Sequence, residues 1–251
     1  VPAADGQTFE VMNPATGQVM ARAPLGGKED VDRAVKAARD AFDDPKGWSS
    51  WSAAKRGRTL QKFSATVKAH LEELAQLESQ NVDKPISGAR GEALGTSLVF
   101  EYYAGAANKV FGETIPVSKP GLDFTLREPI GVVGLIVPWN FPLLMAAWKL
   151  GPALAAGNCV VLKPASETPL SVMVLMNLVA DVPPPGVLNV VNGKGTEIDK
   201  NLLVSYSPNA MGFFQRRRAR ARRVYACSAG RSAQAEGGAR RADLPSVRRL
   251  L

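Results

Sequence analysis

Between Val137 and Lys149 the chain reads VPWNFPLLMAAWK, a Trp-Asn pair set between Pro138 and Pro142 and flanked by apolar runs. A neutral amide at Asn140 has two uses there. It can cap the helix that Pro142 opens, because Asn is a favoured N-cap and Pro a favoured first helical residue. Alternatively, its side-chain N–H can point into a cleft as a donor to a developing oxyanion, with the flanking prolines holding it stiffly. A second polar cluster, KPASE at Lys163–Glu167, follows the next apolar run, NCVVLK. Only two cysteines occur, Cys159 and Cys227, too few for a disulfide scaffold. No charged-then-apolar leader opens the chain, so the expected location is a reducing cytoplasm.

The elements that must position these residues are legible from periodicity. Phe9–Ala23 reads as two short extended segments around the turn NPATG. Lys28–Phe42 carries apolar residues at helical spacing, with Glu29 and Asp30 in its first turn. One long helix is expected over Ala53–Gln80, with Leu60, Phe63, Val67, Leu71, Leu74 and Leu77 on its packed face, and another over Ala89–Val110. From Ile130 the pattern alternates: strand Ile130–Val137, helix Leu143–Ala156, strand Asn158–Lys163, helix Pro169–Ala180, strand Val187–Val191. Near-continuous apolar strands separated by helices predict an α/β fold, a doubly wound parallel sheet preceded by N-terminal helices. In such sheets ligands sit beyond the carboxyl ends of the strands, where both PWN and KPASE fall.

Composition bounds the rest. A chain of 251 residues, 45% hydrophobic, can bury a real core. The apolar stretch Ile130–Leu162 is interrupted by Pro138, Asn140, Pro142, Lys149, Pro152 and Asn158, so no membrane helix is expected. The net charge of +8 is local: residues 216–251 hold eleven Arg, no Lys and two acids, a net +9, which leaves −1 for residues 1–215. The chain therefore divides into a folded part, 1–215, and an Arg-rich tail, 216–251. For that tail a change of reading frame near Phe214 is the leading account, since a GC-rich gene read out of frame gives an Arg/Ala/Gly-rich, Lys-free run. A disordered extension comes second, and a nucleic-acid arm is the least favoured.

Residues from about Phe9 to Val204 resemble the aldehyde dehydrogenase superfamily, through NPATGQV, LREPIGVVGLIVPWNFPLLMAAWKLGPALAAGNCVVLKPA, TPLS and PPGVLNVVNGKG. The resemblance implies oxidation of an aldehyde to its acid with NAD or NADP, an incomplete cofactor-binding domain, and no metal. It shifts the reading of Asn140 from helix cap to oxyanion donor, and it implies a proton-handling role for Lys149. It places the backbone of Ile136, Val137, Pro138 and Trp139 along the nicotinamide, Lys163 on the adenosine ribose, and Gly193 and Gly195 on the adenine side. Ser166 stands where NAD-preferring members carry Glu, which removes repulsion of a 2′-phosphate and admits NADP. Phe141, Leu144, Met145 and Trp148 read as core from spacing alone, and the resemblance makes them the wall of the aldehyde tunnel. Phe141 and Trp148 could cradle a quaternary ammonium by cation–π attraction, although small aliphatic aldehydes fit equally.

Where the chain departs from the family, the chemistry is put in question. The family's nucleophilic cysteine and general-base glutamate fall beyond the resembling part, and the expected FTGS turn reads FFQRRRARARR instead. Cys159 is expected to be a buried strand residue and Cys227 lacks the family's surrounding motif, so neither is expected to be a nucleophile. A catalytically silent fragment is thus the alternative to an active enzyme, with nucleic-acid binding through the tail a further one. Full-length relatives are homo-oligomers, and this chain is expected not to complete such an assembly.

Overall fold

A computed structural model describes residues 2–118, 120–196 and 198, and the backbone of residues 222–226. The chain opens with an antiparallel pair, β1 (Thr8–Met12) and β2 (Val19–Pro24), joined through the Asn13 turn. Helix α1 (Lys28–Asp43) follows, and the Asp30 carboxylate accepts from Gly27 N–H at 2.9 Å to close its first turn. Helices α2 (Ala53–Ala69), α3 (Leu71–Val82) and α4 (Ile86–Ala106) come next. The single helix expected over Ala53–Gln80 is two: His70 leaves the helical region at φ −111°, ψ 22°, and its Nδ1 meets Glu73 Oε2 at 2.9 Å. Helix α4 begins three residues earlier than expected, at Ile86 after Pro85, and gives way to a 3₁₀ turn at Ala107–Lys109.

Strands β3 (Thr114–Ile115) and β4 (Leu122–Leu126) form an antiparallel ribbon, extended by β8 (Arg222–Ala226) against β4. The site-bearing sheet is separate. Its strands β5 (Val132–Ile136), β6 (Cys159–Lys163) and β7 (Leu188–Val190) are parallel, in the order β5-β6-β7. Helices α5 (Pro142–Ala155) and α6 (Leu170–Leu178) make the crossovers, which a right-handed connection puts on one face. Helix α1 packs across β5, β6 and β7 from the other face. The expectation of a parallel α/β sheet with N-terminal helices holds. Among the described residues its strands run in chain order, and the second face is covered by α1 rather than by a returning crossover.

The central strand β6 is buried at every residue, as a strand covered on both faces must be. Its neighbours in the core include Leu143, Leu150 and Leu154 of α5, Leu175 of α6, and Val31 and Ala38 of α1. Gly157 follows the C-cap Ala156 of α5, and its φ of +92° suits a residue without a Cβ. Asn158 then ties the helix end to the sheet: its Nδ2 donates to Ala153 O and its Oδ1 accepts from Gly131 N–H, both at 3.1 Å. No described helix is long and apolar enough to cross a membrane.

Candidate active site

The carboxyl ends of β5 and β6 carry the two polar clusters side by side. Ile136 pairs with Lys163 across the ladder, and Val137 N–H donates to Lys163 O at 2.9 Å. The Val137 side chain is core, so only its backbone can meet a ligand, whereas Pro138 and Trp139 are exposed. The Trp139 carbonyl accepts from Thr168 Oγ1 at 3.0 Å, and the Phe141 carbonyl accepts from Met145 N–H at 2.9 Å as α5 begins.

Asn140 is not the cap of that helix. The N-cap is Phe141, with no side-chain capping bond, and Pro142 takes the first helical position. The Asn140 side chain is exposed, and among the described residues it makes no hydrogen bond. A neutral amide with free N–H groups at the carboxyl edge of a parallel sheet suits a donor to negative charge developing on a ligand.

Two lysines flank this loop. Lys149 Nζ donates to Ile136 O at 2.6 Å, and burial pulls its ammonium below the usual lysine range. Lys163 is 4% exposed at the end of the central strand, so it is not the solvated strand-end lysine its position would suggest. Ser166 Oγ donates to Gly193 O at 2.9 Å, which joins two of the residues assigned to cofactor binding. Gly193 has φ +150°, and a Cβ there would come within 2.8 Å of Gly26 O, so glycine is required by close backbone approach. Gly195 is half-buried two residues on.

The candidate tunnel residues share the start of α5. Phe141 and Trp148 are exposed and Leu144 and Met145 half-buried, so the four are not simply core. One face of the Phe141 ring is already taken by a cation, Lys84 Nζ at 4.4 Å from its centroid. A positive charge already on one face disfavours a second cation on the other. Cys159 is fully buried on β6, and burial pushes its thiol up to about 12, so it carries no thiolate at neutral pH. Cys227 lies outside the described residues. A cleft of about 400 Å³ runs along the outer edge of β7, lined by Gly26, Met173, Met176, Asn177, Val190 and Asn192 among others. It follows a strand edge that is unpaired among the described residues, and Asn140, Lys149 and Lys163 do not line it.

Sequence reasoning missed a cluster behind the loop. Lys84, between α3 and α4, reaches Asn140 O with Nζ at 3.1 Å and pairs with Glu92 of α4. Glu92 Oε1 also accepts from Leu144 N–H in the first turn of α5, at 3.4 Å. Glu78 of α3 lies 3.7 Å from Lys84 Nζ, fully buried, and neither of its oxygens has a hydrogen-bond partner among the described residues. Burial first, and the Glu92 carboxylate second, push its carboxyl up to about 8. A signal existed: Glu78 and Glu92 each occupy a place on the buried stripe of their helix, beside Leu74 and Ala75 and beside Ala89 and Ala93.

The profile of the aldehyde dehydrogenase family matches residues 1–242. The chain belongs to that family. It is 49% identical over 197 residues to the mitochondrial aldehyde dehydrogenase family 2 member B4 of Arabidopsis thaliana, covering 78% of this chain and 36% of that protein. It is 44% identical over 213 residues to the NADP/NAD-dependent aldehyde dehydrogenase PuuC of Escherichia coli, covering 84% of this chain and 43% of the relative. The aldehyde dehydrogenase of Bacillus cereus, solved with NAD+, superposes with a TM-score of 0.78 at 44% identity, over 81% of this chain and 42% of that one. This aldehyde dehydrogenase chain thus spans well under half the length of the relatives it matches. The Bacillus cereus structure is an NAD+ complex, and the Escherichia coli relative is named for both nicotinamide cofactors.

The residues present fit such a group. Asn192 Oδ1, just beyond β7, is buried without a hydrogen-bond partner among the described residues, and Lys163 brings a cation to the same strand ends.

Proposed function

We propose that these residues form the dinucleotide-binding and oxyanion-stabilising half of an NAD(P)-dependent aldehyde-oxidising site. The observation that carries this is the placing of Asn140 and Lys163 at the carboxyl ends of adjacent strands, with Ile136 and Lys163 in register. The bound cofactor supplies a hydride acceptor. The chain's own part is to hold it and to prepare the aldehyde oxygen. Lys163 and Ser166 face the adenosine ribose, the Ile136–Trp139 backbone borders the nicotinamide, and Gly193 and Gly195 border the adenine. The Asn140 amide donates to the aldehyde oxygen as negative charge grows there, a job for a neutral donor that cannot take up the charge. Lys149, kept below its usual range by burial, is poised to pass a proton near the loop.

With Lys84 over the Phe141 ring, the substrate of this reading is an uncharged aldehyde rather than a quaternary ammonium one. Ser166 in place of a carboxylate admits both NAD and NADP. An aqueous, reducing compartment such as the cytoplasm suits the reading.

The burial of Cys159 favours a second reading, in which these 251 residues bind dinucleotide without oxidising aldehyde. Titrating NADH and NADPH into the purified chain tests the proposal by the rise in nicotinamide fluorescence. Saturable one-to-one binding of both is expected, and absence of binding overturns it. Assay for acid product from the same sample decides between the readings: no product is expected, and product that survives Cys159→Ser but not Cys227→Ser would place a nucleophile in the Arg-rich segment.

A further inference from the structure

Nothing holds the Asn140 side chain directly, so its direction depends on the two peptide planes that flank its Cα. The plane before it is anchored through the Trp139 carbonyl, which accepts from Thr168 Oγ1. The plane after it is anchored through the Asn140 carbonyl, and the anchor is Lys84 Nζ, 56 residues away in sequence. Lys84 also covers one face of the Phe141 ring, the next residue along. Its partner Glu92 reaches past it to Leu144 N–H, a first-turn donor of α5 that has no acceptor within its own helix. One ion pair therefore grips both the loop and the helix it enters.

We propose that Lys84, held in place by Glu92 and backed by Glu78, is a positioning residue that fixes the direction of the Asn140 amide. This rests on the reading of Asn140 as the oxyanion donor. The charges are consistent with it. The Lys84 side chain is 15% exposed and that of Glu92 2%, so each would be costly to bury alone, and together they leave the ammonium hydrogens to share. An ammonium has three N–H groups. One goes to Glu92 and one to the Asn140 carbonyl, while Glu78 stands at ion-pair distance, 3.7 Å, too far for a hydrogen bond. Burial and the nearby Glu92 carboxylate favour the protonated form of Glu78, and at 3.7 Å it does not take the ammonium hydrogen that goes to the Asn140 carbonyl. A lysine doing no more than pairing with buried acids would have no need to reach the loop at all.

The test reads order rather than turnover. Backbone and side-chain amide order parameters of Asn140 and Phe141 are measured by NMR on the full 251-residue chain, without cofactor, for the wild type, Lys84→Met, Lys84→Arg and Glu92→Gln. A rigid backbone gives about 0.85 and a flexible one below about 0.6. Asn140 and Phe141 are expected to pass from the first range to the second in Lys84→Met, with β5 and β6 amides unchanged, and Lys84→Arg is expected to recover most of the lost order. Glu92→Gln keeps an acceptor for Leu144 N–H and removes the charge that holds Lys84, so Asn140 is expected to loosen while the start of α5 stays ordered. If Lys84→Met unfolds the chain, Glu92→Gln decides. An Asn140 equally ordered in Glu92→Gln and wild type overturns the proposal, as does an Lys84→Met chain in which the core stays ordered and Asn140 does not move. NADH titration of the same samples reports separately on the dinucleotide reading, because the clamp is measured without the cofactor.

Discussion

A carboxyl buried against a second carboxyl makes stability depend on pH, and Glu78 is such a group. Its folded-state pKa of about 8 lies above the ordinary 4.5, because burial and the neighbouring Glu92 both disfavour its charged form. The folded chain therefore binds a proton that the unfolded chain has already released over the window from about pH 4.5 to about 8. Stability tied to Glu78 is fully present below that window, falls as pH rises through it, and is lost above it. Comparing denaturant midpoints at pH 5 and pH 8.5 checks this: the wild type is expected to lose stability between them, and Glu78→Gln to lose much less. Equal losses in both would mean that other groups carry the effect. A cluster of this kind is hard to see in sequence, because Lys84 meets Asn140 only after three helices have packed. Glu78 and Glu92 were visible as charged residues on apolar stripes, but the periodicity that marks a position as buried does not say what it faces.

At the scale of elements, α5 separates structure from site within one turn. Leu150 is fully buried between the sheet and the N-terminal helices, while Trp148, two residues earlier, is 52% exposed on the loop side. Leu150→Ala should cost roughly 2–5 kcal/mol by leaving a cavity. Trp148→Ala should cost less, about 1–2 kcal/mol, because half of its surface stays in water and no enclosed cavity is left. Thermal denaturation of the two variants checks the contrast, and a Trp148→Ala chain as unstable as Leu150→Ala would make that residue core after all. This part of the fold was legible early. The runs at Ile130–Val137 and Asn158–Lys163 are too apolar and too short for anything but covered strands; β5 and β6 fall inside the expected ranges, and the helix between them starts one residue earlier than expected, at Pro142. The break at His70 was not legible, since Leu71, Leu74 and Leu77 continue the apolar spacing through it. Strand β4 was missed because LDFTL is short and half polar, its nearby partner β3 is only two residues long, and its other partner β8 lies in a distant part of the sequence. Asn140 could be recognised from its sequence context, yet the finding that it is not the helix cap needed coordinates, because Asn before Pro satisfies the capping pattern equally well.

For the whole molecule, the proposed function divides the work between two strand ends, with Lys163 gripping the dinucleotide and Asn140 facing the aldehyde. The two residues stand at or just beyond the ends of adjacent strands, so a change that merely damaged the fold would affect both alike. Their functions separate them. The most direct measurement is the dissociation constant of NADH for the wild type, Lys163→Ala and Asn140→Ala, each chain first shown by circular dichroism to keep its secondary structure. The account predicts that Lys163→Ala weakens binding at least tenfold, about 1.4 kcal/mol, while Asn140→Ala stays within about twofold of wild type. Equal binding by the wild type and Lys163→Ala, or a loss of binding in Asn140→Ala as large as in Lys163→Ala, would contradict it.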